Sequence, residues 1–408
     1  MSRPAAAPMT VPGTRPGTTM DRRAFLATVA RAGLGGAALA SLPPWARAAL
    51  ATDLPPGYIV RNDRPECWET TIEALGRAWI TPNDRFFVRS HLSTPRIEVA
   101  DWRLEVTGLI RTPLSLSIAD LDALPRTEAV HTLECAGNGR GLFMLPSTSG
   151  TQWGRGAIGN ASWGGVRLAS VLQRAGVAPE GKHVWLEAAD QAPLPEVPKF
   201  LRSIPIEKAM EDTLLANTMN GERLPELHGA PLRAIVPGWF GMASTKWLTR
   251  LRIEDRPSDN HFMARGYRYN YPGEDPATAP PVERMLVKSI ITQPGEGAVV
   301  KLAPRPTGKG KPRLRVQGFA WAGPAGVRLV EVSADGGASW RPAGFMGDNA
   351  PLAWRGWATD LEVAPRGRLT LMARATDNAG ETQPLAARAN GAGYGNNSMH
   401  KVTVRVRI

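Results

Sequence analysis

Two hydropathy textures divide this chain. From about residue 55 to 255, short apolar runs such as Trp102 to Leu109 and Val184 to Ala188 predict strands, and apolar residues three and four apart predict a helix from Arg167 to Ala175. Gly and Pro interrupt these runs throughout, which predicts an α+β fold rich in turns. Residues 256 to 283 combine Pro, Gly, Tyr and charge without a period and predict a linker lying against the surface. From Arg284 onward, apolar and polar positions alternate in short stretches: Arg313 to Phe319, Val327 to Ser333, Trp357 to Val363 and Leu369 to Asp377, with a turn at Ala334-Asp335-Gly336-Gly337. Strands separated by turn signals every 8 to 12 residues or so predict an immunoglobulin-like β-sandwich over 284 to 408.

Composition narrows the picture. A chain of 408 residues suits two or three domains of about 100 to 200 residues. The apolar runs all fall short of the roughly 18 residues a spanning helix needs, so a polytopic membrane protein is excluded. The net charge of +12 is not gathered into a basic run interleaved with aromatics, which argues against nucleic acid and leaves anionic small molecules as partners. Two cysteines, Cys67 and Cys135, form no CxxC or CxxCH motif, so zinc ribbons, iron-sulfur clusters and covalent haem lack ligands.

Residues 20 to 48 have the layout of a twin-arginine signal: paired Arg22 and Arg23, then Phe25 and Leu26, a weakly apolar stretch interrupted by Arg31, and Ala46-Arg47-Ala48 as a cleavage site. This predicts periplasmic export of a folded protein, with no stable membrane span after processing. That route serves proteins that acquire a complex cofactor in the cytoplasm.

The densest chemistry lies in HTLECAGNGRGLF, residues 131 to 143, where an apolar strand runs into Cys135 and a Gly-rich turn ending at Arg140. A thiol beside turn amides and a guanidinium suits a nucleophile or a soft-metal ligand; a buried structural cysteine or a disulfide with Cys67 fits the spacing equally. FFVRSH (Phe86 to His91), TQWGRGAIGNASWGG (Thr151 to Gly165), HGAPLRAIVPGWFGMASTKW (His228 to Trp247) and NGAGYGNN (Asn390 to Asn397) each place cationic or polar side chains beside small residues, as recognition of phosphates and heterocycles requires.

In this order the motifs resemble the sulfite oxidase family of molybdenum enzymes, including bacterial sulfite dehydrogenases and the molybdenum subunit of sulfane dehydrogenases, from about Tyr58 onward. The resemblance implies a sulfite-oxidase-type molybdopterin domain at 55 to 255, the linker at 256 to 283, and an immunoglobulin-like dimerisation domain at 284 to 408. It implies that Cys135 is the sole protein ligand to molybdenum in a molybdenum-molybdopterin cofactor. It assigns Arg89, Ser90, His91, Asp190, His228, Arg233, Ser244, Thr245 and Lys246 to the pterin and its phosphate, and Arg89, Arg140 and Trp153 to the substrate pocket. In LLANTMNG it sets Asn217 where family members carry a tyrosine beside the metal, which predicts a roomier pocket.

The resulting expectation is an exported oxidoreductase that transfers oxygen to sulfite or a related sulfur oxyanion and passes electrons to a c-type cytochrome, with a homodimer formed through the sandwich. Reduction of sulfoxides on the same fold and a non-catalytic periplasmic scaffold are the alternatives. Replacing Arg22 and Arg23 with Lys is expected to leave precursor in the cytoplasm; cell fractionation checks this, and unchanged export would count against the signal.

Overall fold

Local patterning sets the elements of the catalytic half. In Leu168–Ala175, Leu168, Val171, Leu172 and Ala175 are all buried, one face of a helix at three- and four-residue spacing. Gly176 ends it at φ 70°, a left-handed conformation that favours glycine. Ile118–Asp122 is started by a capping box between Ser117 and Asp120. The computed structural model describes residues 57–143, 148–192, 194, 196–275, 278–303 and 311–408. The export signal lies outside the described residues.

Three sheets build the first half. One orders Glu222–Arg223, Leu214–Met219, Ile158–Arg167 and Arg126–Glu134, with Arg233–Ile235 also on Leu214–Met219. A second orders Leu114–Leu116, Leu104–Gly108, Leu248–Glu254, His183–Ala188 and Leu201–Pro205, with one parallel pairing, Leu248–Glu254 on Leu104–Gly108. A small third sheet joins Tyr58–Asn62, Cys67–Thr70 and Val88–Arg89. The second sheet and the helices share one core around Leu104, Leu186 and Leu251, and the first sheet shares another with Cys67, Cys135 and Trp163.

The second half is the expected sandwich. One sheet runs Lys288–Gln293, Arg313–Trp321, Arg355–Glu362, Gly344–Met346; the other runs Val299–Lys301, His400–Arg407, Gly367–Asp377, Val327–Ser333, Arg341–Pro342. Their facing residues, among them Val316, Val332, Trp357 and Val404, form its core. No helix among the described residues is long and apolar enough to cross a membrane.

The segment 256 to 283 lies against the surface for most of its length, but it also buries Val282 and Tyr267 in a cluster that takes Ala136 and Ile158 from the first half and Ile290, Phe319 and Trp354 from the second. Apolar residues without a period are invisible to moment arguments, yet burying them fastens the halves together. Trp354 is the centre of this contact. It stacks on Phe319 at 4.3 Å, donates from Nε1 to the Trp79 carbonyl at 2.8 Å, and accepts at its own carbonyl from Trp79 Nε1 at 3.0 Å.

Trp354→Ala is therefore expected to cost about 3–5 kcal/mol through lost burial and a residual cavity. The urea midpoint should fall accordingly.

Candidate functional site

Three pieces of backbone meet at one cavity. Val88–Arg89 pairs with Cys67–Thr70 and carries Arg89, Ser90 and His91 to its edge; Arg126–Glu134 delivers Cys135 at its end; the turns beside Arg233–Ile235 bring His228, Arg233, Ser244, Thr245 and Lys246. With Asp190, all ten of these predicted residues line the cavity.

The dominant physical fact is positive charge without acidic partners. Arg233 donates from Nη1 to the His228 carbonyl at 2.7 Å and from Nη2 to the Ser244 carbonyl at 3.0 Å, and its guanidinium sits 5.0 Å from the Trp163 ring centre. Lys246 Nζ donates to Ser90 Oγ at 2.9 Å and to the Leu227 carbonyl at 3.0 Å, and lies 4.0 Å from the Trp247 ring centre. Arg89 donates from Nη1 to the Ser90 carbonyl. Among the described residues none of these three makes an ion pair. Burial pushes Lys246 well below the usual ammonium range and Arg233 down to about 9.

Two buried acceptors stand without partners, Asp190 Oδ1 and Thr245 Oγ1. Burial raises Asp190 to about 6, against the pull of Lys246. An unpaired buried polar atom is expensive, so a ligand with donors and acceptors of its own completes the site. A phosphorylated heterocycle fits: its phosphate meets Arg233, Lys246 and the Thr245 hydroxyl, and its ring nitrogens meet Asp190.

Cys135 and Cys67 are both free thiols, so they form no disulfide. The Cys135 amide donates to the Ala157 carbonyl at 2.9 Å. Burial pushes its thiol up, against the pull of Arg89, the Gly137 amide and Arg140. No imidazole is hydrogen-bonded to it among the described residues, so the arrangement lacks the base of a cysteine hydrolase. A soft metal displacing the proton suits it.

The other wall of the cavity is aromatic. His91 stacks on Phe200 at 4.3 Å, and its Nε2 lies 2.5 Å from Tyr267 Oη. Burial and the surrounding Arg89, Lys246, Arg202 and Arg140 hold His91 neutral, and burial keeps the Tyr267 phenol protonated, so the two share one hydrogen bond whose donor is set by the His91 tautomer. His228 is likewise buried and pushed down to about 3; its Nε2 donates to the Asn83 carbonyl at 2.9 Å. Trp247 and Tyr267 adopt φ 51° and 53°, left-handed conformations that cost about 1–2 kcal/mol each for residues with a Cβ. Both line the cavity. Strain gathered on opposite walls of one pocket marks a functional geometry.

Three predicted residues do not line it. Arg140 lies beyond Cys135, donating from Nε to the Ala392 carbonyl at 2.9 Å and from Nη1 to the Thr151 carbonyl at 3.1 Å, with Tyr394 5.2 Å away. It acts on Cys135 and His91 through its field. Trp153 is fully buried in the core that holds Cys135. Asn217 is a correction: a bulge between Ala216 and Thr218 turns it away from the pocket, where it donates to Asp122 Oδ1 at 2.8 Å and accepts from Arg126 at 3.1 Å. The pocket does contain a tyrosine, Tyr267, stacked on Tyr394 at 5.0 Å. Arg202, 2% exposed and 5.2 Å from the Tyr267 ring centre, was also missed. The aromatic density of GYRYNY within a segment read as linker is the signal that could have revealed Tyr267.

Two family models match the chain: "Oxidoreductase molybdopterin binding domain" over residues 91–262 and "Mo-co oxidoreductase dimerisation domain" over residues 279–407. Sulfite oxidase of Gallus gallus is 37% identical over 347 residues, covering 81% of this chain and 73% of its own length. Mitochondrial sulfite oxidase of Mus musculus is 35% identical over 371 residues, and the chain spans 66% of that enzyme's length. Nitrate reductase of Hordeum vulgare is 32% identical over 357 residues, 81% of this chain and 40% of the reductase. The crystal structure of the sulfane dehydrogenase SoxCD from Paracoccus pantotrophus matches with a TM-score of 0.73 at 31% identity, covering 92% of this chain and 100% of that one.

Because His228 titrates at about 3 and His91 well below its ordinary value, both are expected to stay neutral from pH 8 to 5, which imidazole NMR checks. The sign follows: both folded values are depressed, so the contribution is full above about 6.5, and stability drops on acidification below it as the unfolded chain takes up protons that the buried rings refuse.

Proposed function

The chain belongs to the sulfite oxidase family of molybdopterin-dependent oxidoreductases, and from that premise we propose that it oxidises sulfite or a closely related reduced sulfur anion in the periplasm. The observation that carries this reading is the excess of buried cations, Arg89, Arg140 and Arg202, grouped around Cys135, His91 and Tyr267 beyond those that serve a phosphate. A neutral sulfoxide would leave that charge unmatched, whereas a sulfur dianion balances it.

When bound, the molybdenum cofactor supplies the oxygen transferred and accepts the two electrons. Cys135 would hold the metal. Arg233, Lys246, Ser244 and Thr245 would hold the phosphate, and Asp190, Ser90 and His228 the pterin side. The chain's contribution to the reaction is electrostatic and positional. Sulfite and water give sulfate, two protons and two electrons. Arg89 and Arg140 draw the dianion towards Cys135 through a field that a dry pocket leaves unscreened. The Tyr267 Oη to His91 Nε2 hydrogen bond holds a proton inside the pocket at a stated pair of atoms, ready to be passed as charge changes there. Phe200 and Tyr267 on the cavity wall exclude water.

The electrons leave singly to an external acceptor, read here as a c-type cytochrome, since the chain carries no CxxCH haem-attachment motif of its own. The dimerisation domain supports a homodimer. Arg22 and Arg23 support export by the twin-arginine route.

The test uses protein matured with its cofactor, and sulfite-dependent reduction of cytochrome c as the assay. Wild type is expected to turn over sulfite. Arg140→Ala, which removes a field and not a contact, should lower kcat/KM for sulfite about tenfold, roughly 1.4 kcal/mol, and change a neutral sulfoxide far less. Cys135→Ser should abolish turnover and remove one Mo–S distance by X-ray absorption. A metal-loaded wild type that reduces a sulfoxide but leaves sulfite untouched would overturn the assignment.

A further inference from the structure

Glu134 directly precedes Cys135 and is 2% exposed. Its carboxylate receives three donors from three places: Lys288 Nζ on Oε1 at 2.8 Å, Asn138 Nδ2 on Oε1 at 2.9 Å and Trp321 Nε1 on Oε2 at 2.8 Å. Lys288 and Trp321 are neighbours in the sandwich, paired across Lys288–Gln293 and Arg313–Trp321. Lys288 also donates to the Asn138 carbonyl at 3.3 Å.

The sandwich half reaches the same turn from a second direction. The Gly395 amide donates to the Ala136 carbonyl at 2.9 Å, and Asn396 Nδ2 donates to the Gly139 carbonyl at 3.0 Å. Gly139 has φ 92°, and a Cβ there would lie 2.9 Å from the Asn396 side chain, so the two backbones approach as closely as glycine permits. Arg140 is tied to Ala392. Thus Glu134, Ala136, Asn138, Gly139 and Arg140 are each gripped by the sandwich half, and Cys135 lies among them.

A buried Lys–Glu pair is a poor source of stability, because dehydrating both charges offsets their attraction. Domain attachment is already served by the aromatic cluster at Trp354. The pair does something apolar packing cannot: three directional bonds fix one carboxylate, and with it the backbone that aims the neighbouring thiol. We propose that the sandwich domain is a working part of the metal site, with Lys288 and Trp321 as positioning residues that set the aim of Cys135 through Glu134. This rests on Cys135 as the metal ligand.

The test begins with full-length, cofactor-free Cys67→Ser protein, in which Cys135 is the one remaining thiol. Its alkylation by iodoacetamide is timed at fixed pH. Lys288→Met should raise that rate on the order of tenfold, by freeing the local turn well below the global unfolding threshold. Trp321→Phe, which removes one donor and keeps the ring, should move it the same way by less. Trp354→Phe, which weakens the domain contact without touching Glu134, serves as the control and should leave the rate unchanged at equal urea stability.

In the metal-loaded enzyme, Lys288→Met and Trp321→Phe should shift the Mo(V) electron paramagnetic resonance spectrum and lower kcat with little change in KM for sulfite. If Lys288→Met fails to fold, Trp321→Phe decides alone. Alkylation that tracks global stability equally in all three variants, or an unshifted spectrum in Trp321→Phe, would overturn the proposal. Should wild type fail to oxidise sulfite, the alkylation comparison still reads the positioning role; should the positioning role fail, sulfite turnover by wild type still stands.

Discussion

Buried positive charge without acidic partners is the constraint around which this molecule is arranged. Arg89, Arg233 and Lys246 cannot be taken out of water cheaply, so every surrounding group softens that burden in some way. Carbonyls of Ser90, Leu227, His228 and Ser244 face the donors. The rings of Trp163 and Trp247 present their electron-rich faces. What remains is offset by large cores in both halves and by an anionic ligand. The folded chain and its cofactor are therefore complementary in charge before any chemistry begins.

Much of this was legible in the amino-acid order. The helix at Leu168–Ala175 and the strand at Val327–Ser333 follow from periodicity, since each turns one face to a single core. The ten cavity residues were legible through the family resemblance, which carries them over motif by motif; each motif alone is only compatible with a phosphate or heterocycle site. Asn217 was misread because a motif fixes neighbours along the chain, whereas a bulge decides which face of a strand they occupy. Tyr267 was hidden for the opposite reason: its segment has no period, and its burial depends on contacts from both halves. Arg140 and Trp153 lie close to the site but behind Cys135, a distinction of depth that spacing does not encode.

The two halves share the site more intimately than a two-domain description suggests. One wall comes from the connection between them, held in a strained conformation at Tyr267, and the turn bearing Cys135 in the first half is bounded by loops of the second. Strain of this kind persists only where packing on several sides over-determines it. The aromatic cluster around Trp354 supplies that packing, which links the rigidity of the domain contact to the shape of the pocket.

The bonds from Arg140 to Ala392 and from Gly139 to Asn396 join positions 252 and 257 residues apart, and that from Lys288 to Glu134 spans 154. Loops of that length close late, after the local strands and the sandwich have formed, because their entropy must be overcome before the contacts reward it. The bond from Lys246 to Ser90 spans 156 residues, so the cation-lined cavity and the turn bearing Cys135 are both assembled from distant parts of the chain. The site is therefore complete only when the whole chain is folded, and a cofactor that binds there stabilises the fold as a whole.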